Sequence, residues 1–209
     1  LQLLEYSEEK REKMLMAAAR LESNNLYSEV LVKINALRQT AAQEKLKATI
    51  EWLEEWLEDA GDEKILVYGI HRAMNEAISE HFKAPLIYGG MDSATRLNAE
   101  TEFQENSVVR MLVCSIDAAG VGLTLTAATN VAFVEMPWRP MDIDQAVGRA
   151  YGRLSDVHGA NAYLITTPNT IEDKIVKLIE KKRGIIGKGA DGDQSIISDL
   201  INDLFKNTK

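Results

Sequence analysis

The chain has 209 residues, of which 45% are hydrophobic, enough for one α/β domain with an appendage or for two small domains. Its single cysteine, Cys114, excludes a disulfide framework and a cluster of thiolate metal ligands. The net charge of −8 disfavours a globally basic nucleic-acid binder, although a local phosphate site stays possible. No apolar stretch approaches the roughly 18 residues of a membrane span and no signal peptide is evident, so we expect an intracellular protein.

The first sixty residues predict an α-helical segment. Strong helix formers and apolar residues at helical spacing indicate helical stretches at 7–22, 28–39 and 43–59. Trp52 and Trp56 lie four residues apart, a spacing typical of core or interlobe packing. We expect residues 1–60 to be a helical support or insertion. Because the chain begins with Leu, we also expect it to be a piece of a longer polypeptide.

From Gly61 onward, short β-branched runs alternate with amphipathic stretches. Strands are expected at 65–69, 84–88, 108–114, 130–135 and 160–166, and helices at 72–82, 93–104, 141–152 and 170–184. Ser93 is the expected N-cap of the second of these helices. Five apolar strands separated by helices predict an α/β domain over 61–186, a parallel sheet with helices on both faces and ligands at its carboxyl edge. Residues 187–209 predict a linker and a short C-terminal helix.

Two classes of site are disfavoured by what the sequence lacks. It has no Gly-x-x-x-x-Gly-Lys-Ser/Thr phosphate loop. Its three histidines, His71, His81 and His158, lack metal-ligand spacing, so no metal site is predicted. We expect His71 to begin a helix rather than to donate a proton, because the sequence places no carboxylate to orient it.

Small residues follow the strand that ends near Ser115, and they include Gly120 and Gly122. Small residues at the exit of a parallel strand let the backbone approach a ligand, and their N–H groups can donate to phosphate oxygens. A tight turn with packing glycines explains this segment equally well when it is taken alone.

The segment DQAVGRAYGR at 144–153 is expected on an amphipathic helix. Arg149 and Arg153 lie four residues apart on one face, with Gln145 one turn before them. Two guanidinium groups aimed together suit a polyphosphate. The alternative is a solvated basic face, which would normally carry interleaved acids, and between 143 and 155 only Asp144 is acidic. The pattern therefore favours phosphate binding.

Taken together and in this order, the segments resemble the carboxyl-terminal RecA-like lobe of superfamily-two helicases, specifically the Swi/Snf-related DNA translocases. The stretch 64–82 is similar to the fourth motif, YGGMDSATR at 88–96 to the Gly-Ser-x-x-x-x-Arg element, 114–140 to the fifth motif with its tryptophan extension, and 144–153 to the sixth. LRQT at 37–40 and TIEDKI at 170–175 also fit. The Glu-x-x-Trp-x-Pro form at 135–140 resembles the annealing-helicase branch and its phage and bacterial relatives.

This resemblance implies specific roles for residues at matching positions. Arg149 and Arg153 would be arginine fingers for the γ-phosphate of ATP, and Gln145 would link that nucleotide to the DNA track. Gly120 and Gly122 would belong to the turn that senses the nucleotide. Expected contacts to the tracked strand come from Gly69, His71, Gly89, Gly90, Ser115, Thr124 and Trp138.

One departure from the family pattern concerns the second arginine. The sixth motif usually has its two arginines three residues apart, whereas position 152 here is Gly and the arginine falls at 153. Either Arg153 substitutes for the usual finger or Arg149 acts alone.

We therefore expect the second motor lobe of an ATP-dependent DNA translocase or helicase, inactive without an N-terminal RecA-like lobe that holds ATP and Mg²⁺. The other expected partner is duplex or forked DNA, and no membrane is expected. The expected location is the cytoplasm of a prokaryotic or phage-infected cell, or the nucleus of a eukaryotic one. The alternatives are a RecA-like module that has lost motor function and binds nucleic acid or protein, and an RNA-directed helicase.

Overall fold

The computed structural model describes residues 8–120, 125–151 and 160–186, with side-chain environments for 32–118, 125–150 and 160–180. Contacts between Cα atoms divide the chain into two compact units, Leu1–Arg38 and Gln39–Lys209. The predicted linker and C-terminal helix at 187–209 lie outside the described residues.

The N-terminal helix α1 runs from Glu8 to Asp59. The three predicted helical stretches are parts of this one helix, because no Gly or Pro interrupts residues 8–59. Within the second unit, α1 packs against the sheet through apolar side chains, which are Leu46, Trp52, Leu53, Trp56 and Leu57. The ring centroids of Trp52 and Tyr163 are 5.3 Å apart. The predicted packing role of the tryptophan pair is confirmed as a contact with the core.

The rest of the described chain alternates strands and helices. In order they are β1 Ile65–Gly69, α2 Arg72–Phe82, β2 Leu86–Ile87, α3 Ser93–Glu105, β3 Met111–Ser115, a short 3₁₀ helix Ile116–Gly120, β4 Asn130–Phe133, α4 Pro140–Tyr151, β5 Asn161–Leu164 and α5 Ile171–Ile186. The strands form one sheet in the order β2-β3-β1-β4-β5, with every neighbouring pair parallel. The predicted parallel sheet is confirmed.

The central strand β1 is buried on both faces. Ile65 and Val67 pack in a core that includes Met74 and Ile78 of α2. Side chains alternate along a strand, so Tyr68 points to the opposite face, where its ring stacks on Phe133 with 5.7 Å between centroids. Burial on both faces explains why the strands appear in the sequence as continuous apolar runs rather than as alternating ones.

The single cysteine belongs to this core. Cys114 lies on β3 and is fully buried. Burial, with a smaller contribution from the charge of Glu100, raises the pKa of the Cys114 thiol. The side chain therefore acts as a small apolar core residue rather than as a nucleophile.

The N-cap of α3 is Asp92 and not the predicted Ser93, which is the first helical residue. Asp92 Oδ1 accepts hydrogen bonds from the backbone N–H groups of Ala94 at 3.1 Å and Thr95 at 2.9 Å. A hydrogen bond from the Thr95 side chain, together with these backbone donors, lowers the pKa of Asp92. A carboxylate is favoured over a hydroxyl at this position because it also interacts with the positive end of the helix dipole.

The order of the strands creates a crevice beside β1. The connection after β1 crosses toward β2, whereas the connection after the adjacent strand β4 crosses toward β5 on the other side. Because such connections are right-handed, α2 and α4 lie on opposite faces of the sheet. Ligands of open parallel sheets bind at the carboxyl end of the strands where the connections diverge in this way.

A buried ion pair ties α1 to α5. Lys45 Nζ lies 2.5 Å from Glu172 Oε1, and the two side chains are only 5% and 4% exposed. The same ammonium group donates to the carbonyl oxygen of Ile165 at 2.9 Å, and Glu172 Oε2 accepts from the Thr167 N–H at 3.1 Å. Both charges thus have additional hydrogen-bond partners.

Among the residues described, no helix is long and apolar enough to cross a membrane.

Candidate functional site

The predicted nucleic-acid contacts that fall within the described residues lie along one edge of the sheet. Gly69 and Ser115 are the last residues of β1 and β3 and stand opposite each other in the register. Gly89 and Gly90 follow β2, and Trp138 lies between β4 and α4. Since all five strands are parallel, their carboxyl ends meet at the same edge. Gly122, Thr124 and Arg153 lie outside the described residues, and Gly120 ends the 3₁₀ helix.

The carboxylate of Glu135 holds the loop between β1 and α2. Its Oε2 atom accepts from the backbone N–H groups of Ile70 at 2.7 Å and His71 at 2.8 Å, while its Oε1 atom pairs with His71 Nδ1. His71 is the N-cap residue of α2, as predicted. The expectation that no carboxylate orients its ring is wrong, because Glu135, 64 residues away in the sequence, meets it across adjacent strands.

These contacts decide which atoms of His71 are left for a ligand. The backbone N–H is taken by Glu135, and Nδ1 is taken as well. The other ring atom, Nε2, is buried and has no hydrogen-bond partner among the residues described. The ring also lines a cavity of about 60 Å³, whose other walls come from α1 and α2 and are Gln39, Ala42, Gln43, Leu46, Ala73 and Met74.

Gly69 is required where β1 ends, because a side chain there has no room. A Cβ atom on Gly69 would lie 2.1 Å from Asn75 Oδ1 and 3.3 Å from Glu135 Oε2. We expect Gly69→Ala to lower the free energy of unfolding by about 1–3 kcal/mol, the usual cost of overpacking. Urea unfolding of the 209-residue chain measures this change.

Gly148→Ala is the matched control, since a Cβ atom at this exposed α4 position meets nothing within 4 Å. It should raise the free energy of unfolding by about 0.5–1 kcal/mol, because alanine favours a helix interior more than glycine does. A Gly69→Ala variant that unfolds at the same urea concentration as the unmodified chain would contradict the close packing described.

An exposed cation at this edge was not assigned from the sequence. The Arg72 guanidinium lies 4.4 Å from the centroid of the Tyr88 ring, and its Nε donates to Glu76 Oε1 at 2.6 Å. Tyr88 begins a turn that closes with the Met91 N–H at 3.4 Å and contains Gly90 at φ +83°. The sequence does carry one sign of this role. Arg72 is the first residue of α2, where a cation is unfavourable because it opposes the helix dipole.

The last turn of α4 is fastened to the segment that follows the 3₁₀ helix. The N–H of Leu125 donates to the carbonyl oxygen of Arg149 at 3.2 Å. Burial, and then the charge of Cys114, raise the pKa of Tyr68, whereas the positive charge of Arg149 opposes this rise. The Arg149 charge is therefore close enough to the Tyr68 hydroxyl to act on it. Gln145, one turn earlier on α4, is exposed.

The described part of the chain shows no cluster of metal ligands. Within it, no three His, Cys, Asp or Glu side chains gather as a metal ion would require. The sequence also lacks a phosphate loop. The edge combines small residues with the exposed cation of Arg72, whereas Arg149 lies in the last turn of α4.

Comparison with known proteins defines the class. A family model described as "Helicase conserved C-terminal domain" matches residues 44–153. The chain belongs to this family, as the C-terminal lobe of a superfamily-two helicase, and the predicted resemblance is confirmed.

Within that family, the relatives are SWI/SNF-related. The chain is 31% identical over 134 residues to the DNA annealing helicase and endonuclease ZRANB3 of Bos taurus, a match that covers 62% of this chain and 12% of that protein. It is 30% identical over 152 residues to the SWI/SNF-related matrix-associated actin-dependent regulator of chromatin subfamily A-like protein 1 of Xenopus tropicalis, covering 70% and 16%. The chain thus spans a small part of these relatives. Both are eukaryotic, so they give no support to a prokaryotic or phage origin.

Solved structures confirm the RecA-like fold. The Sulfolobus solfataricus SWI2/SNF2 ATPase core domain matches with a TM-score of 0.65 and 22% identity, over 93% of this chain and 46% of that one. The same core in complex with dsDNA matches with a TM-score of 0.60 and 24% identity, over 76% and 37%.

Proposed function

We propose that this chain is the second motor lobe of an ATP-dependent DNA translocase and that Arg149 is its arginine finger. The observation that carries the proposal is the hydrogen bond from the Leu125 N–H to the Arg149 carbonyl oxygen. It fastens the last turn of α4, which carries Arg149, to the segment between the 3₁₀ helix and β4. A guanidinium held there can meet a nucleotide carried by a facing lobe.

The reaction is transfer of the γ-phosphoryl group of ATP to water, and this lobe contributes charge stabilisation. In the transition state negative charge spreads over the phosphoryl oxygens, where guanidinium donors lower the barrier. The phosphate loop and the Mg²⁺ ligands would come from the N-terminal lobe, since the described residues fit neither task. Arg153 would add a second guanidinium, and Gln145 would link the nucleotide to the DNA.

The DNA would run along the carboxyl edge of the sheet. The β1–α2 loop with Gly69 and His71, the end of β3 at Ser115 and the Gly89–Gly90 turn would face the backbone of the tracked strand, with Trp138 beside the duplex. Contacts of this kind read phosphates rather than bases, so a chain of net charge −8 can make them locally. The similar proteins include a DNA annealing helicase and an ATPase core bound to dsDNA, which favours DNA over RNA.

ATP hydrolysis measured in two forms of the protein tests this proposal. The 209-residue chain alone should not turn over ATP with or without DNA. Joined to a lobe that carries a phosphate loop, it should hydrolyse ATP faster when duplex or forked DNA is added. Stimulation by RNA alone would indicate an RNA-directed helicase, and nucleic-acid binding without turnover would indicate a module that has lost motor function.

A further inference from the structure

Glu135 is a buried carboxylate whose contacts converge on one loop. Its side chain is 3% exposed, and it accepts from two consecutive backbone N–H groups and pairs with an imidazole nitrogen. A carboxylate removed from water is costly unless donors replace its hydration, and hydrogen bonds to a charged acceptor are about twice as strong as neutral ones. A single side chain therefore bonds to both consecutive residues of the loop, Ile70 and His71.

The Glu135 carboxylate also determines which polar groups of Ile70 and His71 remain free. The N–H groups at the beginning of a helix have no partner within the helix and can bind an anion from outside. Here those of Ile70 and His71 are already satisfied from within the protein. With Nδ1 engaged and Nε2 buried, the ring leaves no free nitrogen exposed, so the carboxylate fixes the shape of the loop rather than a set of free donors.

Glu135 stands at the start of the segment that joins β4 to α4. Trp138 follows three residues later, and Arg149 lies on α4 itself. The carboxylate is thus a direct bond between the loop after β1 and the segment that carries the arginine. Adjacent strands bring the two together, because Tyr68 and Phe133 are partners in the register and the Val134 N–H donates to the Tyr68 carbonyl oxygen at 2.9 Å.

We propose that Glu135 is a positioning residue, which fixes the loop of Gly69–His71 for contact with the DNA backbone and couples that contact to the segment bearing Trp138 and Arg149. The contacts of Glu135 stand on their own, whereas their consequence for DNA-dependent ATPase activity rests on the proposed function. Its sequence signal is a lone acid at the end of the apolar run NVAFVE at 130–135.

Glu135→Gln in the two-lobe enzyme tests the role, because the amide keeps the size of the side chain and removes its charge. The DNA concentration that gives half-maximal ATPase stimulation should rise about tenfold or more, since small displacements of positioned groups cost up to ~100-fold. Turnover at saturating DNA should fall much less, in contrast with loss of an arginine finger. His71→Asn should have a similar effect, and the double variant should be little worse than either single one.

Glu54→Gln is the matched control. Glu54 also pairs with a histidine, its Oε1 atom 2.7 Å from His81 Nε2, but this pair is exposed on the surface. The Glu54→Gln enzyme should reach half-maximal ATPase stimulation at the same DNA concentration as the unmodified enzyme. An unchanged half-maximal DNA concentration in a folded Glu135→Gln enzyme would overturn the coupling role. If Glu135→Gln does not fold, Glu135→Asp, which keeps the charge and shortens the reach, is measured against the same criterion.

A second measurement separates this inference from the proposed function. In the 209-residue chain labelled with ¹⁵N-histidine, Glu135→Gln should shift the imidazole signals of His71 and leave those of His81 in place. If the two-lobe enzyme shows no DNA-stimulated ATPase, the proposed function fails, and these signals still decide whether Glu135 positions the ring. Unmoved His71 signals would overturn the positioning role itself.

Discussion

Arg149→Ala is expected to lower ATP turnover of the two-lobe enzyme by about 10³ to 10⁵-fold with little change in ATP affinity. The guanidinium would contact the γ-phosphoryl group chiefly when charge develops on it, so its loss raises the barrier more than it weakens binding. Arg149→Lys should recover only part of the rate, because an ammonium group lacks the planar pair of donors. Steady-state turnover and nucleotide titration separate the two effects.

Arg139→Ala is the matched control for this prediction. Arg139 directly precedes α4, and its Nη2 atom lies 3.0 Å from Asp142 Oδ1 in an exposed pair. Exposed pairs of this kind are worth about 0–1 kcal/mol, so turnover should change little. An Arg149→Ala enzyme that retains turnover within a few fold of the unmodified one would refute the finger.

Removing one partner of the buried pair Lys45–Glu172 is expected to have the largest effect on stability. Either Lys45→Met or Glu172→Gln leaves a polar group of the pair buried without its partner, which typically costs about 3–5 kcal/mol. The double variant Lys45→Met/Glu172→Leu should recover most of that loss, because two apolar side chains leave no uncompensated charge. Urea unfolding of the 209-residue chain gives the three values.

Lys47→Met provides the comparison for these variants. Lys47 lies on the same helix, two residues further on, and pairs with Glu51 at 3.5 Å on the exposed surface. Its removal should cost about 0.5 kcal/mol or less. Equal losses for Lys45→Met and Lys47→Met would mean that the buried pair does not fasten α1 to α5.

The fold could be predicted because each strand corresponds to a short apolar run in the sequence. The run ILVYG at 65–69 became β1 without change, since a strand buried on both faces is continuously apolar. The stretch at 84–88 shortened to Leu86–Ile87, because a strand at the edge of the sheet pairs on one side only. The three predicted N-terminal helices are one helix, α1, because no Gly or Pro separates their apolar stretches.

The candidate site was predictable in place but not in its contacts. Gly69 and Ser115 could be assigned to the carboxyl edge because each ends an apolar run. The pairing of Glu135 with His71 spans 64 residues and requires that β4 lie beside β1, which no local pattern specifies. The same holds for Lys45 and Glu172, separated by 127 residues. Long-range polar contacts depend on strand order, and strand order is a property of the whole sheet.

The most direct test of the arginine finger is a structure of the two-lobe enzyme with duplex DNA, ADP and aluminium fluoride, which mimics the phosphoryl group in the transition state of its transfer. We expect the Arg149 guanidinium about 3 Å from the fluoride, across the cleft from its own sheet. A guanidinium paired instead with carboxylates of its own lobe, away from the nucleotide, would contradict this expectation.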